Sequence, residues 1–181
     1  MPRPFSEECR PTMLPSARKS PPTVRPDGTL VLPDLIAGLR LKPVQNVPAR
    51  SGVLTELWRP EWFGPETRPG HVTHVTLTGF SETNWHCHKI QDDLLFVVRG
   101  LVRIAFYDDR EDSPSYRRLN VLNFGAARPT LINIPPGIWH ALKNLGGEEA
   151  AYVTMNSRPF DYDDPDDWRL PPGDASLPRP F

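Results

Sequence analysis

From Gly28 to Asn156 the chain is a succession of short apolar runs broken by turn residues, at intervals of roughly 8 to 12 residues. That rhythm suits strands and leaves no room for the helices of an alternating α/β chain. Candidate strands are Leu39–Val44, Val53–Leu57, His71–Thr78, Asn84–His88, Asp93–Val98, Leu101–Tyr107, Arg118–Phe124, Thr130–Ile134, His140–Asn144 and Ala150–Asn156. His71–Thr78 is rich in β-branched residues, which pleated strands favour. Gly100 supplies the positive φ of a tight hairpin, and Pro135-Pro136-Gly137 makes another sharp turn. Only Pro33–Gly38 and the acidic Asp163–Trp168 suggest single helical turns, the latter with an aspartate near its cap. The expected fold is all-β, an antiparallel jelly roll.

The 181 residues fit one domain. Residues 28–170 read as the barrel. Residues 1–27 read as a proline-rich tail or arm, and 171–181 as a second proline-rich tail; the chain has 23 prolines. A net charge of -1 gives no general attraction to nucleic acid or anionic membrane. No apolar stretch approaches the roughly 20 residues that span a bilayer, and charge and proline stand where a signal peptide needs apolar residues. A cytoplasmic protein is expected. Two cysteines are too few for a disulfide framework. Cys9 falls in the first tail, and Cys87 reads as a buried, reduced thiol.

Chemistry concentrates in two segments. In Trp85-His86-Cys87-His88 the two histidines, two apart on a strand, aim side by side, while Trp85 and Cys87 face the other way into packing. Asp93 opens the next strand, and His140 follows the Pro-Pro-Gly turn with Asn144 beyond it. Three imidazoles and a carboxylate meeting in one pocket suit a divalent metal (Fe, Zn, Ni or Mn) bound by His86, His88, Asp93 and His140. They equally suit metal-free acid–base chemistry, or a satisfied polar core in a small-molecule-binding protein. His71 and His74, three apart, face opposite sides of their strand. Asp108–Asp112 reads as a solvated turn with Arg110 pairing locally, and Trp58, Trp62 and Phe63 as part of a lid or intersubunit loop.

These residues resemble the two cupin motifs. His86-x-His88, Asp93 and Gly100 are similar to the first, and Pro135-x-Gly137-x-x-His140-x-x-x-Asn144 to the second. Within cupins, Asp109-Arg110-x-x-Ser113-Pro114-Ser115, Ile134-Pro135-Pro136-Gly137 and Tyr162-Asp163-Asp164-Pro165-Asp166 resemble the dTDP-4-dehydrorhamnose 3,5-epimerase group. The resemblance covers about residues 34 to 170. It implies a cupin jelly roll, a homodimer, and a metal-free epimerisation next to the keto group of a nucleotide-linked 4-keto sugar or a smaller keto compound. His86 matches the base and Tyr152 falls on the strand of the acid, with His88, Lys89, Gln91 and Asn144 toward the substrate. The family's enolate-stabilising lysine is replaced by Asp93, and its arginine three residues before the base by Thr83. A metal-dependent oxygenase or isomerase, and a non-catalytic binding cupin, remain the other readings.

Overall fold

The computed structural model describes residues 14–181. The chain divides into two compact units at Pro33/Asp34. Of the first unit, residues 14–33 are almost entirely exposed. Their local features are a turn at Leu14–Ala17 and a second turn in which Asp27 accepts hydrogen bonds from the Thr29 amide and hydroxyl, beside a bridge between Val24 and Leu30. Cys9 and the first part of the expected arm lie outside the described residues.

The second unit is built from two five-stranded antiparallel sheets. Twelve strands form in chain order: β1 (Arg40–Pro43), β2 (Asn46–Ala49), β3 (Gly52–Thr55), β4 (His71–Leu77), β5 (His86–Cys87), β6 (Asp93–Arg99), β7 (Leu101–Asp108), β8 (Leu119–Gly125), β9 (Thr130–Ile134), β10 (Ile138–Asn144), β11 (Ala150–Asn156) and β12 (Trp168–Arg169). One sheet runs β1-β9-β6-β11-β4 and the other β12-β5-β10-β7-β8, with β2 and β3 pairing apart as a hairpin. Among the described residues the helical content is one 3-10 turn, Pro65–Thr67.

Two expectations are corrected. Asp163–Trp168 is not a helical turn. The Asp166 carboxylate accepts the backbone N–H groups of Lys89, Ile90 and Gln91, which draws the segment alongside β5 and lets Trp168–Arg169 pair with it. Pro33–Gly38 is not a helical turn: Asn120 bonds the Ile36 amide and the Asp34 carbonyl, and the chain makes a tight turn at Ala37–Gly38, closed by the Leu39 amide on the Ile36 carbonyl at 3.0 Å with Gly38 at φ +88°.

Strand alternation sorts the side chains. Facing inward, Val102, Ile104, Phe106 and Leu142 of one sheet pack on Leu95, Val97, Ile132 and Tyr152 of the other. Facing outward, Leu94, Phe96 and Met155 take Trp58, Trp62 and Phe63 onto their sheet. Trp85, Tyr107 and Ala141 take Leu177 and Phe181 on theirs, and the Trp85 indole donates to the Pro178 carbonyl at 2.9 Å. Leu177 and Phe181 of the proline-rich end therefore pack against the sheet, while most of residues 171–181 is exposed.

Candidate active site

The inward rows change character along the barrel. On one sheet the row Val75–Tyr152–Val97 is followed by Thr73–Thr154–Leu95 and then by His71–Asn156–Asp93. On the other, Ile104–Leu142 gives way to Phe106–His140–His86. One end of the interior is thus an apolar core, and the other is a polar cavity of about 810 Å³.

At the floor of this cavity the His86 and His140 rings lie with centroids 3.9 Å apart, tilted by 55°, and His88 stands 5.8 Å from each. Asp93 reaches them from the facing sheet. Its Oδ2 lies 3.1 Å from His88 Nε2 and 3.5 Å from His140 Nε2, the latter in ion-pair range but outside hydrogen-bond geometry. Its Oδ1 accepts from Asn156 at 2.6 Å and Gln91 at 3.3 Å. His88 Nδ1 donates to the Asp166 carbonyl and His140 Nδ1 to the Ile138 carbonyl. Two buried ring nitrogens, His86 Nδ1 and His140 Nε2, have no protein partner.

Charge follows from these contacts. Burial lowers the His86 pKa well below its ordinary value, helped by the neighbouring rings of His140 and His88. Burial also opposes charge on His88, but its bond to Asp93 and the Asp166 carbonyl outweigh that and push it up to about 9. For Asp93, desolvation acts upward, and the neighbouring His140 ring together with the close pair with His88 hold it well below the usual carboxylate range. Burial, then the Asp93 charge, push Tyr152 up to about 12. The floor therefore holds a neutral imidazole, an imidazolium–carboxylate pair and, on the opposite wall, a protonated phenol. Cys87, on the far face of β5, is a buried free thiol pushed up to about 11 by desolvation.

Of the residues expected at the site, His86, His88, Gln91, Asp93 and Tyr152 line the cavity, and His140 stands beneath it. Lys89 lies outside, its Nζ 3.5 Å over the Trp168 ring. Asn144 is also elsewhere: its amide bonds the Leu77, Thr78 and Glu148 carbonyls and the Gly146 amide, closing a loop. His71 lines the cavity while His74 is exposed on the other face. Sequence reading missed the rim, residues 158–167, which brings Arg158, Phe160 and Tyr162 to the mouth together with aspartates. Arg169, across β5 from His86, completes that wall. A run of aromatic and acidic residues opening on Arg158, after the last long strand, was the available signal.

His86, His88, Asp93 and His140 each offer a ligand atom within 4.8 Å of the others. As arranged, however, they do not fit a four-ligand metal centre. Both nitrogens of His88 face acceptors, so each carries a proton and neither offers a lone pair.

A jelly roll with this cluster on its inner face is a cupin. No protein-family model matches the chain. The probable low-salt glycan biosynthesis epimerase Agl13 of Haloferax volcanii is 30% identical over 138 residues, which span 75% of this chain and 88% of that protein. The spore coat polysaccharide biosynthesis protein SpsL of Bacillus subtilis is 32% identical over 93 residues, spanning 51% of this chain and 62% of that one. Among solved structures, a dTDP sugar isomerase from Desulfovibrio desulfuricans superposes with a TM-score of 0.70 at 23% identity, over 80% of this chain and 90% of that one. The 3'-monoepimerase ChmJ of Streptomyces bikiniensis, solved with dTDP-quinovose, gives 0.68 at 20% identity, over 78% and 74%. The chain belongs to the family of the glycan biosynthesis epimerase Agl13, and it shares the jelly-roll fold of the dTDP-sugar isomerase and epimerase structures.

Proposed function

We propose that the protein epimerises a nucleotide-linked 4-keto sugar by removing a proton next to the keto group and returning one on the opposite face. The observation that carries this reading is the pairing of His86 and Tyr152 on facing walls of one cavity. His86 lines the cavity and is neutral, so its ring can accept a proton from a bound substrate. Tyr152 is protonated and no protein group occupies its hydroxyl among the described residues, so it can supply one. Losing the proton leaves an enolate whose oxygen needs positive charge. With Asp93 at the family's lysine position, that charge comes from the His88 imidazolium, 5.8 Å ring to ring from the base.

The rim suits a nucleoside diphosphate. Phe160 and Tyr162 meet edge to face at 5.1 Å and remain exposed, 46% and 90%, offering flat rings to a base. Arg158 on the same wall offers a guanidinium to a phosphate, and Arg169 can do so by exchanging its ion pair with Asp167 at 2.7 Å for one with the ligand. The homodimer and the cytoplasmic setting implied by the family resemblance belong to the same proposal. The test is incubation with a dTDP-linked 4-keto-6-deoxy sugar in D₂O, followed by NMR of the ring positions flanking the keto group. Deuterium appearing there, and absent with His86→Ala, supports the reading; no exchange with active-site-intact protein rejects it.

A further inference from the structure

The Asp-Arg-x-x-Ser-Pro-Ser segment plays no part in the proton chemistry, yet it is wired to it. Asp108, at the end of β7, has no exposure and faces Ile138 at the start of β10. Its carboxylate accepts Arg110 Nε at 2.8 Å, Arg110 Nη2 at 3.0 Å, and the Ser113 and Ser115 hydroxyls at 2.6 and 2.5 Å. Arg110 Nη2 also donates to the Ala37 carbonyl at 2.7 Å, and the Ala37 amide returns a bond to Ser115. The guanidinium is thereby fixed from two sides.

Its aliphatic stem lies over Gly137. A Cβ on that glycine would sit 2.9 Å from Arg110 Cδ and 3.1 Å from Cγ, and the residue has φ +83°. Gly137 is the hinge of the Pro-Pro-Gly turn. Its N–H donates to the His88 carbonyl at 2.7 Å, and three residues later the chain presents His140. Two of the three imidazoles therefore take their backbone positions from one turn, and that turn is seated on Arg110.

We infer that Arg110, locked on buried Asp108, is a positioning residue that presses on Gly137 and so sets where His88 and His140 stand relative to the base. The side chain touches no reacting atom. Its effect on the reaction rests on the function proposed above, whereas its effect on the rings does not.

The experiment compares Arg110→Ala and Arg110→Lys with wild type and with Arg99→Ala, a change at an exposed pair with Glu149. Ring ¹⁵N resonances of the histidines are recorded on the unliganded protein. Exchange kinetics are measured on the dTDP-linked 4-keto-6-deoxy sugar. The expected result for Arg110→Ala is displaced His88 and His140 resonances, with kcat lower by roughly 10- to 100-fold and KM changed by less than about threefold. Arg110→Lys, which keeps the stem over Gly137, should recover most of both, and Arg99→Ala should move neither. Unmoved rings, or moved rings with unchanged kcat, overturn the inference. If Arg110→Ala does not fold, the lysine variant carries the ring measurement, and a spectrum identical to wild type together with reduced kcat overturns it. Absence of exchange in wild type rejects the proposed function instead, and leaves the ring resonances to decide on Arg110.

Discussion

Asp93 and Asp108 make an instructive pair. Both are buried, at 4% and 0% exposure, and both are held well below the usual carboxylate range against the upward pull of desolvation. Asp108 is surrounded by Arg110, Ser113 and Ser115, all within seven residues of it, and no buried polar atom of that knot is left without a partner. Asp93 gathers His88, Gln91, His140 and Asn156 from several strands, opens on a cavity, and has two orphaned ring nitrogens beside it. Depth and a shifted pKa therefore do not separate a working site from a structural one. Unfinished hydrogen bonding next to open space does.

The largest effect should come from the cavity side. His86→Ala should lower deuterium exchange by about 10²- to 10⁴-fold while leaving the thermal midpoint nearly unchanged. Exchange within tenfold of wild type would remove His86 as the base. On the sealed side, Asp108→Ala should cost about 3 to 5 kcal/mol of stability in urea titration, because it strands a guanidinium and two hydroxyls. Asp93→Ala should cost less stability, since water enters the cavity, yet abolish exchange. Equal stability losses would erase the contrast. Tyr152→Phe should retain deuterium exchange at the position His86 reaches and lose net inversion, checked by comparing exchange with epimer formation.

The pH dependence sharpens the comparison further. The folded pKa of His88 lies above the ordinary 6.5, so its stabilising contribution is complete below that value and fades as pH rises through about 9. His88→Gln should flatten that alkaline decline. The two aspartates act in the opposite direction, stabilising at neutral pH and failing as pH falls below the ordinary carboxylate range. The smallest effect should be that of chelation: exhaustive metal removal is expected to leave exchange unchanged, and loss of activity restored by Zn²⁺, Fe²⁺, Ni²⁺ or Mn²⁺ would favour the metal reading.

Much of the barrel was legible because its long strands carry their burial pattern in sequence. His71–Leu77 alternates as expected, and within Asp93–Arg99 the run Leu94–Val97 is continuously apolar and buried on both faces. The histidine cluster was legible from spacing alone. β2 was missed because Asn46-Val47-Pro48-Ala49 is exposed and contains proline, and β12 because two residues show no period. Asp108 was misread as solvated because its neighbours Asp109, Glu111 and Asp112 are charged; only three-dimensional closure by Ala37 and Ser115 buries it. Asn144 matched a motif position but faces a loop, since its amide satisfies three carbonyls there. The face of Tyr152 depended on a one-residue register that pairing with Val75 and Val97 settles.

The strand that carries His86, the proposed base, pairs with no strand near it in sequence. β5 lies between β10 and β12, and the indole just before it is capped by a carbonyl 93 residues further along. During synthesis His86 emerges early and waits, without a partner, until residues 138–144 and then 168–181 have followed. The first sheet is no more local, since β6 lies between β9 and β11, which follow only at residues 130–134 and 150–156. The wall that holds His86 is closed by β12, the latest strand in chain order, so both faces of the cavity depend on contacts distant in sequence.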